Sequence, residues 1–174
     1  MDIELATRLG HLFLLVAGSG LLVFAAMHDI AARTIPNSAS VVLALLGALL
    51  RLQDGDLVVS LMLDGIVFAV CTACWLRGWM GGGDVKLLSA AALFVPHSLV
   101  GSLLIATTLA GGLVAIVYLI ARLVARHISL TVHVNPRSFP ARVLRAEHWR
   151  LLRGTPLPYG SAIAAGALFV NFAG

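Results

Sequence analysis

The chain has 174 residues, 60% of them apolar and only 11% charged, and its mean hydropathy is +0.98. A water-soluble domain of this length cannot bury so much apolar surface, so composition excludes an ordinary cytosolic globule and points to the bilayer as solvent. The formal net charge of +4 would suggest nucleic acid as partner to a soluble protein, whereas here it asks which membrane face holds the arginines.

The length accommodates about six spans of roughly 20 residues with short connections and no separate soluble domain, so residues 1–174 read as one unit. The first ten residues, MDIELATRLG, carry acids and no basic region, and no small-residue cleavage site follows the first apolar run. That run is expected to be a retained span and not a removed signal. Hydropathy places it at about 10–28, and the second span at about 38–52. Between them lies MHDIAARTIPN, in which Asp29 closes the first helix. Pro36 and Asn37 end the turn and start the second helix, since proline cannot continue a helix and biases its predecessor to extended geometry.

The third span covers about 57–77 and contains Asp64, Cys71 and Cys74. Asp64 lies about thirteen residues, roughly 20 Å of helix, before the segment leading into Gly81, so a structural or interfacial role is expected. Two cysteines three apart on a membrane helix are packing partners more often than a redox pair, and they offer neither a disulfide framework nor a zinc site. Trp75 and Trp79 fall where an aromatic belt would meet the interface. The fourth span, about 84–95, opens on GGGD and stops at Pro96. Like the second, it is short for a lipid-exposed helix, which implies a thinned site or shielding by neighbours. A fifth span covers about 98–123 and a sixth about 158–173, flanking a loop at 124–157. Inside that loop Ala141, Leu144, His148, Leu151 and Leu152 share one helical face opposite Arg142, Arg145, Arg150 and Arg153, behind the start signals Ser138 and Pro140. This reads as a basic helix on anionic lipid, and makes membrane lipids a partner and nucleic acid a poor one.

Charge then orients the bundle. One side holds Arg8 and Arg51 with Asp2, Glu4, Asp54 and Asp56. The other holds Arg33, Arg77, Lys86, Arg122, Arg126 and the loop arginines, ten of the twelve basic residues, which the positive-inside rule makes cytoplasmic. Both termini are then expected outside, with Asp29 and Asp84 at the cytoplasmic face. Ionisable residues at membrane depth are costly and point to function. Two carboxylates at one depth can share a proton and activate a water for attack on an amide, with no metal and no organic cofactor. Asp84 opens a helix, whose positive end favours its charge, and Asp29 lies near the end of one, so Asp84 is expected to be the base. Gly81, Gly82 and Gly83 permit positive φ and leave space beside Asp84 for a substrate backbone. Lys86 either snorkels to the interface or acts on a nearby acid. Arg33 serves orientation, and His28 points away from its neighbour Asp29.

These residues resemble a known family. GGGD followed by VKLL is similar to the GxGD-K-L motif of type IV prepilin peptidases, and HDIAARTIPN resembles their first motif. LPYGSAIAAG before the sixth span resembles their last-helix pattern. The resemblance implies an all-α polytopic membrane aspartic peptidase with Asp29 and Asp84 as catalytic pair. Gly81, Gly82, Gly83, Lys86, Arg33, Pro36 and Asn37 would shape the cleft. It implies cleavage of the basic leader from type IV prepilins or pseudopilins at the cytoplasmic face of the bacterial inner membrane, alongside pilus or secretion assembly machinery. Larger members carry a CxxC-bearing insertion after the first helix and also N-methylate the product. About ten residues join those helices here, so the likeness is to the short, peptidase-only form of tight-adherence (Flp) systems. A presenilin-like protease, and a transport or assembly subunit whose acids line an ion path, are the alternatives.

Overall fold

A computed structural model describes residues 2–127 and 157–173, which form helices without a strand among the described residues. In chain order these are α1 (Asp2–Ala32), α2 (Asn37–Asp54), α3 (Leu57–Leu76), α4 (Gly82–Phe94), a 3-10 turn (His97–Leu99), α5 (Val100–His127) and α6 (Tyr159–Ala173). The count agrees with the six expected spans. The first helix begins eight residues earlier than the apolar run alone indicates, because Glu4 and Arg8 extend it without entering the apolar stretch. The basic helix expected within 124–157 lies outside the described residues, apart from the last turn of α5.

Three segments are long and apolar enough to cross a bilayer: Glu4–Ala32, Leu57–Leu76 and His97–Val124. Their outward side chains, among them Phe13, Met62 and Leu109, are large, apolar and exposed, as lipid contact requires. α4 is different. Val85 and every residue from Leu87 to Val95 are buried, because α2, α3 and α6 surround it. A helix of 13 residues rises only about 20 Å, yet it needs no lipid-facing length when neighbours cover it. Shielding therefore accounts for the short fourth span.

Small residues let the helices approach α4. α2 turns Ala39, Ser40, Leu43, Gly47 and Leu50 inward, the three- and four-residue spacing of one helical face. A Cβ on Gly47 would stand 2.7 Å from the Phe94 backbone nitrogen, and one on Gly18 would enter the Phe94 ring. Close backbone crossings of this kind hold membrane bundles together where the hydrophobic effect between helices is weak.

Turn chemistry sets the helix ends. α2 stops at Gly55, left-handed at φ 78, with the Gly55 and Asp56 amides donating to the Leu52 and Arg51 carbonyls at 3.4 and 3.1 Å. This is a Schellman-type cap. α1 stops on a single bond, the Arg33 amide donating to the Asp29 carbonyl at 2.8 Å, and places Arg33 at φ 56, the one positive-φ residue other than glycine among those described. A left-handed side-chain-bearing residue costs roughly 1–2 kcal/mol. The Arg33 guanidinium offsets this by donating to the Tyr118 hydroxyl at 3.0 Å, with its carbon 5.2 Å from that ring's centroid.

Candidate active site

Asp84 is the third residue of α4, one turn from the helix start at Gly81. Its carboxylate folds back onto the Gly81 amide, which is the acid half of a capping box. The three glycines pack the protein's own side chains around this point. A Cβ on Gly81 would stand 2.9 Å from Asp84 Oδ2, one on Gly82 3.3 Å from Trp75 Nε1, and one on Gly83 3.3 Å from Ile35 Cβ. None of the three adopts a positive φ. The left-handed glycine of this turn is Gly78, at φ 74. The three glycines thus admit Asp84, Trp75 and Ile35, and the positive φ expected of them is found earlier, at Gly78.

Asp29 lies in the last turn of α1 and is 5% exposed. Its partner comes from the other end of the chain. Gly160, second residue of α6, donates its backbone N–H to Asp29 Oδ2 at 2.9 Å. A Cβ at position 160 would lie 2.9 Å from that oxygen and 2.9 Å from Ile35 Cδ1. Ile35, in the turn joining α1 to α2, therefore touches both the glycine before Asp84 and the glycine that holds Asp29. The two carboxylates are close enough to interact electrostatically.

A cavity of about 460 Å³ opens beside this pair. Asp84 and Gly81 form one wall, and Cys74, Trp79, Met80, Leu157 and Tyr159 form the rest. Asp29 does not line it. The site thus has a carboxylate facing an apolar, partly aromatic cavity and a second carboxylate seated behind it. Each acid feels the charge of the other, which disfavours ionising both at once.

The remaining predicted residues divide. Lys86 and Asn37 meet, the Lys86 ammonium donating to Asn37 Oδ1 at 3.0 Å and tying α4 to the start of α2. Pro36 sets the extended entry to that helix at ψ 131. Arg33 reaches away to α5, though its charge is felt at Asp29. His28 Nδ1 pairs with the Thr34 carbonyl at 2.7 Å and so braces the turn. Asp64 accepts a hydrogen bond from the Ser89 hydroxyl. Ser89 is only five residues, roughly 7.5 Å of rise, beyond Asp84, so Asp64 lies nearer the level of the pair than the count along its own helix implied. Both cysteines are free; Cys71 is buried and Cys74 lines the cavity. Among the described residues no cluster of three His, Cys, Asp or Glu is placed to hold a metal.

Sequence reasoning missed Gly160, Tyr159 and Ile35 as parts of the site. A signal for Gly160 existed: a glycine just after Pro158 stands where unpaired helix-start amides would face an acid. What no local pattern states is which acid it meets.

The model of the type IV leader peptidase family matches residues 16–120, a stretch that contains Asp29 and Asp84 and ends before Gly160. Neither a curated protein nor a solved structure matches the chain.

Proposed function

Because the chain belongs to the type IV leader peptidase family, we propose that it is an aspartic-type peptidase with Asp29 and Asp84 as its catalytic pair. Its substrates are type IV prepilins of the Flp kind or pseudopilins. It cuts the bond between their basic leader and hydrophobic helix at the cytoplasmic face of the bacterial inner membrane. The observation that carries this reading is a pair of carboxylates from separate helices within electrostatic reach of each other, one of them lining a largely apolar cavity. An extended peptide leaving the membrane would lay its scissile bond against Asp84 and its apolar side chains among Trp79, Met80 and Tyr159. Water held by the carboxylate pair attacks the carbonyl, and one carboxyl group protonates the oxygen that becomes a hydroxyl.

Further features support the finer points. The concentration of basic residues at the end of the bundle holding the pair favours a cytoplasmic site with both termini outside. Only the stretch from Arg33 to Pro36 joins α1 to α2, which favours a peptidase without an inserted module for methyl transfer at that point. A transport role fits less well. Asp64, the acid deepest along α3, is engaged by Ser89, and Asp54 and Asp56 at the opposite end are engaged by cations.

Co-expression with an Flp-type prepilin tests the assignment, with leader removal scored by mass. Wild-type protein should shorten the precursor, and Asp29→Ala or Asp84→Ala should leave it whole at equal membrane abundance. Processing by both variants would end the reading.

A further inference from the structure

We propose that Gly160 is a positioning residue for the reaction: its amide, delivered by a third helix, fixes Asp29 as the carboxylate that takes the proton from water, and leaves Asp84 to protonate the scissile carbonyl. The inference rests on the peptidase reading above and deepens it, and it reverses the assignment expected from α1 and α4 alone. Those two helices place Asp84 at a positive end and Asp29 at a negative one. α6 changes the balance, because its own first turn points at Asp29.

The groups facing Asp29 are the Gly160 and Ser161 amides of α6, His28 of α1, Arg33 of the turn that follows it, and Asp84 of α4. Burial opposes a negative charge there, and all of these groups but the last favour one. Asp84 has one amide from its own turn, that of Gly81, and the charged group it faces is Asp29. Lys86, two residues on, is occupied with Asn37. Position separates them as well: Asp84 lines the cavity, and Asp29, 5% exposed, lies behind it.

The step balances with no other reagent. Water oxygen bonds to the carbonyl carbon while its proton passes to Asp29, and the Asp84 proton passes to the carbonyl oxygen. The diol then collapses: the carbon–nitrogen bond breaks, Asp29 gives its proton to the departing amine, and a diol hydroxyl returns a proton to Asp84. Both carboxyl groups end as they began.

Position 160 accepts only glycine without displacing a neighbour, since a Cβ would press on Asp29 Oδ2, Asp29 Cγ and Ile35 Cδ1 at 2.9, 3.1 and 2.9 Å. The purified enzyme, assayed on a prepilin peptide across pH, therefore tests the proposal through Gly160→Ala, Ile35→Ala and the double variant. Gly160→Ala should lower kcat on the order of 10–100-fold with KM little changed. It should also move the acidic limb of the kcat profile to higher pH, because the methyl group pushes the base off its donor amide. Adding Ile35→Ala relieves the aliphatic clash but not the one with the carboxylate, so it should not restore kcat. Should Gly160→Ala alone fail to fold, the double variant carries the same readout. Restoration by Ile35→Ala, or a fall in kcat with the limb unmoved, would overturn the proposal. Asp29→Asn and Asp84→Asn run alongside: if both are inactive and Gly160→Ala matches wild type, this inference alone fails, whereas activity in both removes the pair itself.

Discussion

At the end of the bundle remote from Asp84, acids are held by basic side chains. Arg51, 3% exposed, reaches Asp54 at 3.0 Å and Asp56 at 3.5 Å, His97 meets Asp56 at 2.6 Å, and His11 lies 3.4 Å from Asp54. These contacts tie α1, the α2–α3 turn and the turn before α5 into one plate. At the end holding Asp29 and Asp84 the acids meet backbone amides and each other. A carboxylate neutralised by arginine stays ionised and stays put, which suits a brace. A pair held by amides keeps its proton exchangeable, which suits chemistry. The same residue type thus serves two ends of one molecule, and its neighbours decide the use.

The largest expected effect lies at the amide-held end. Asp29→Asn and Asp84→Asn should each lower cleavage by at least 10²–10⁴-fold, the usual worth of a positioned acid or base. Their melting temperatures in detergent should remain close to wild type. Next comes the cation-held end, where Arg51→Ala leaves two acids facing each other. A buried pair broken in this way costs about 3–5 kcal/mol, and about 2–3 kcal/mol is expected here because Asp54 remains 35% exposed. Chemical denaturation should show this loss while kcat per folded molecule holds. If Arg51→Ala instead abolished turnover at full stability, the division between the two ends would collapse.

Smaller effects sharpen the contrast. Gly47→Ala pushes a methyl group into the Phe94 backbone and should cost about 1–3 kcal/mol, read as a lower denaturation midpoint. The pH dependence of stability should involve the far end. Burial alone would raise the Asp56 carboxyl, but the His97 hydrogen bond and the Arg51 charge outweigh it and hold Asp56 below the usual carboxylate range. A lowered folded value means that its contribution is present above the ordinary carboxylate range and is lost as pH falls through it. Asp56→Asn should flatten that part of the stability profile. The smallest change is expected from Lys86→Met, which removes one exposed contact to Asn37 and should cost under about 1 kcal/mol.

Much of this architecture can be read along the chain. Apolar run lengths, Pro36, Pro96 and the glycines at turns mark the helices, because each acts within a few residues. Alternation of ends then places Asp29 and Asp84 together before any coordinate is known. Three features depend on how helices cross, and no local pattern contains that. The α6 amide reaches Asp29 across 131 positions of sequence. Arg33 takes a left-handed turn that glycine would fill more cheaply, because Tyr118 waits on α5 to receive it. The glycines before Asp84 also make space for Asp84, Trp75 and Ile35, which come from three different parts of the chain.

The central claim is that the two carboxylates act as one unit, and a double-mutant cycle on single-turnover cleavage tests it most directly. Groups that act together lose nearly everything with the first removal. Asp29→Asn/Asp84→Asn should therefore cleave a prepilin peptide no more slowly than either single variant. A double variant whose loss equals the product of the two single losses would show independent groups and contradict the account.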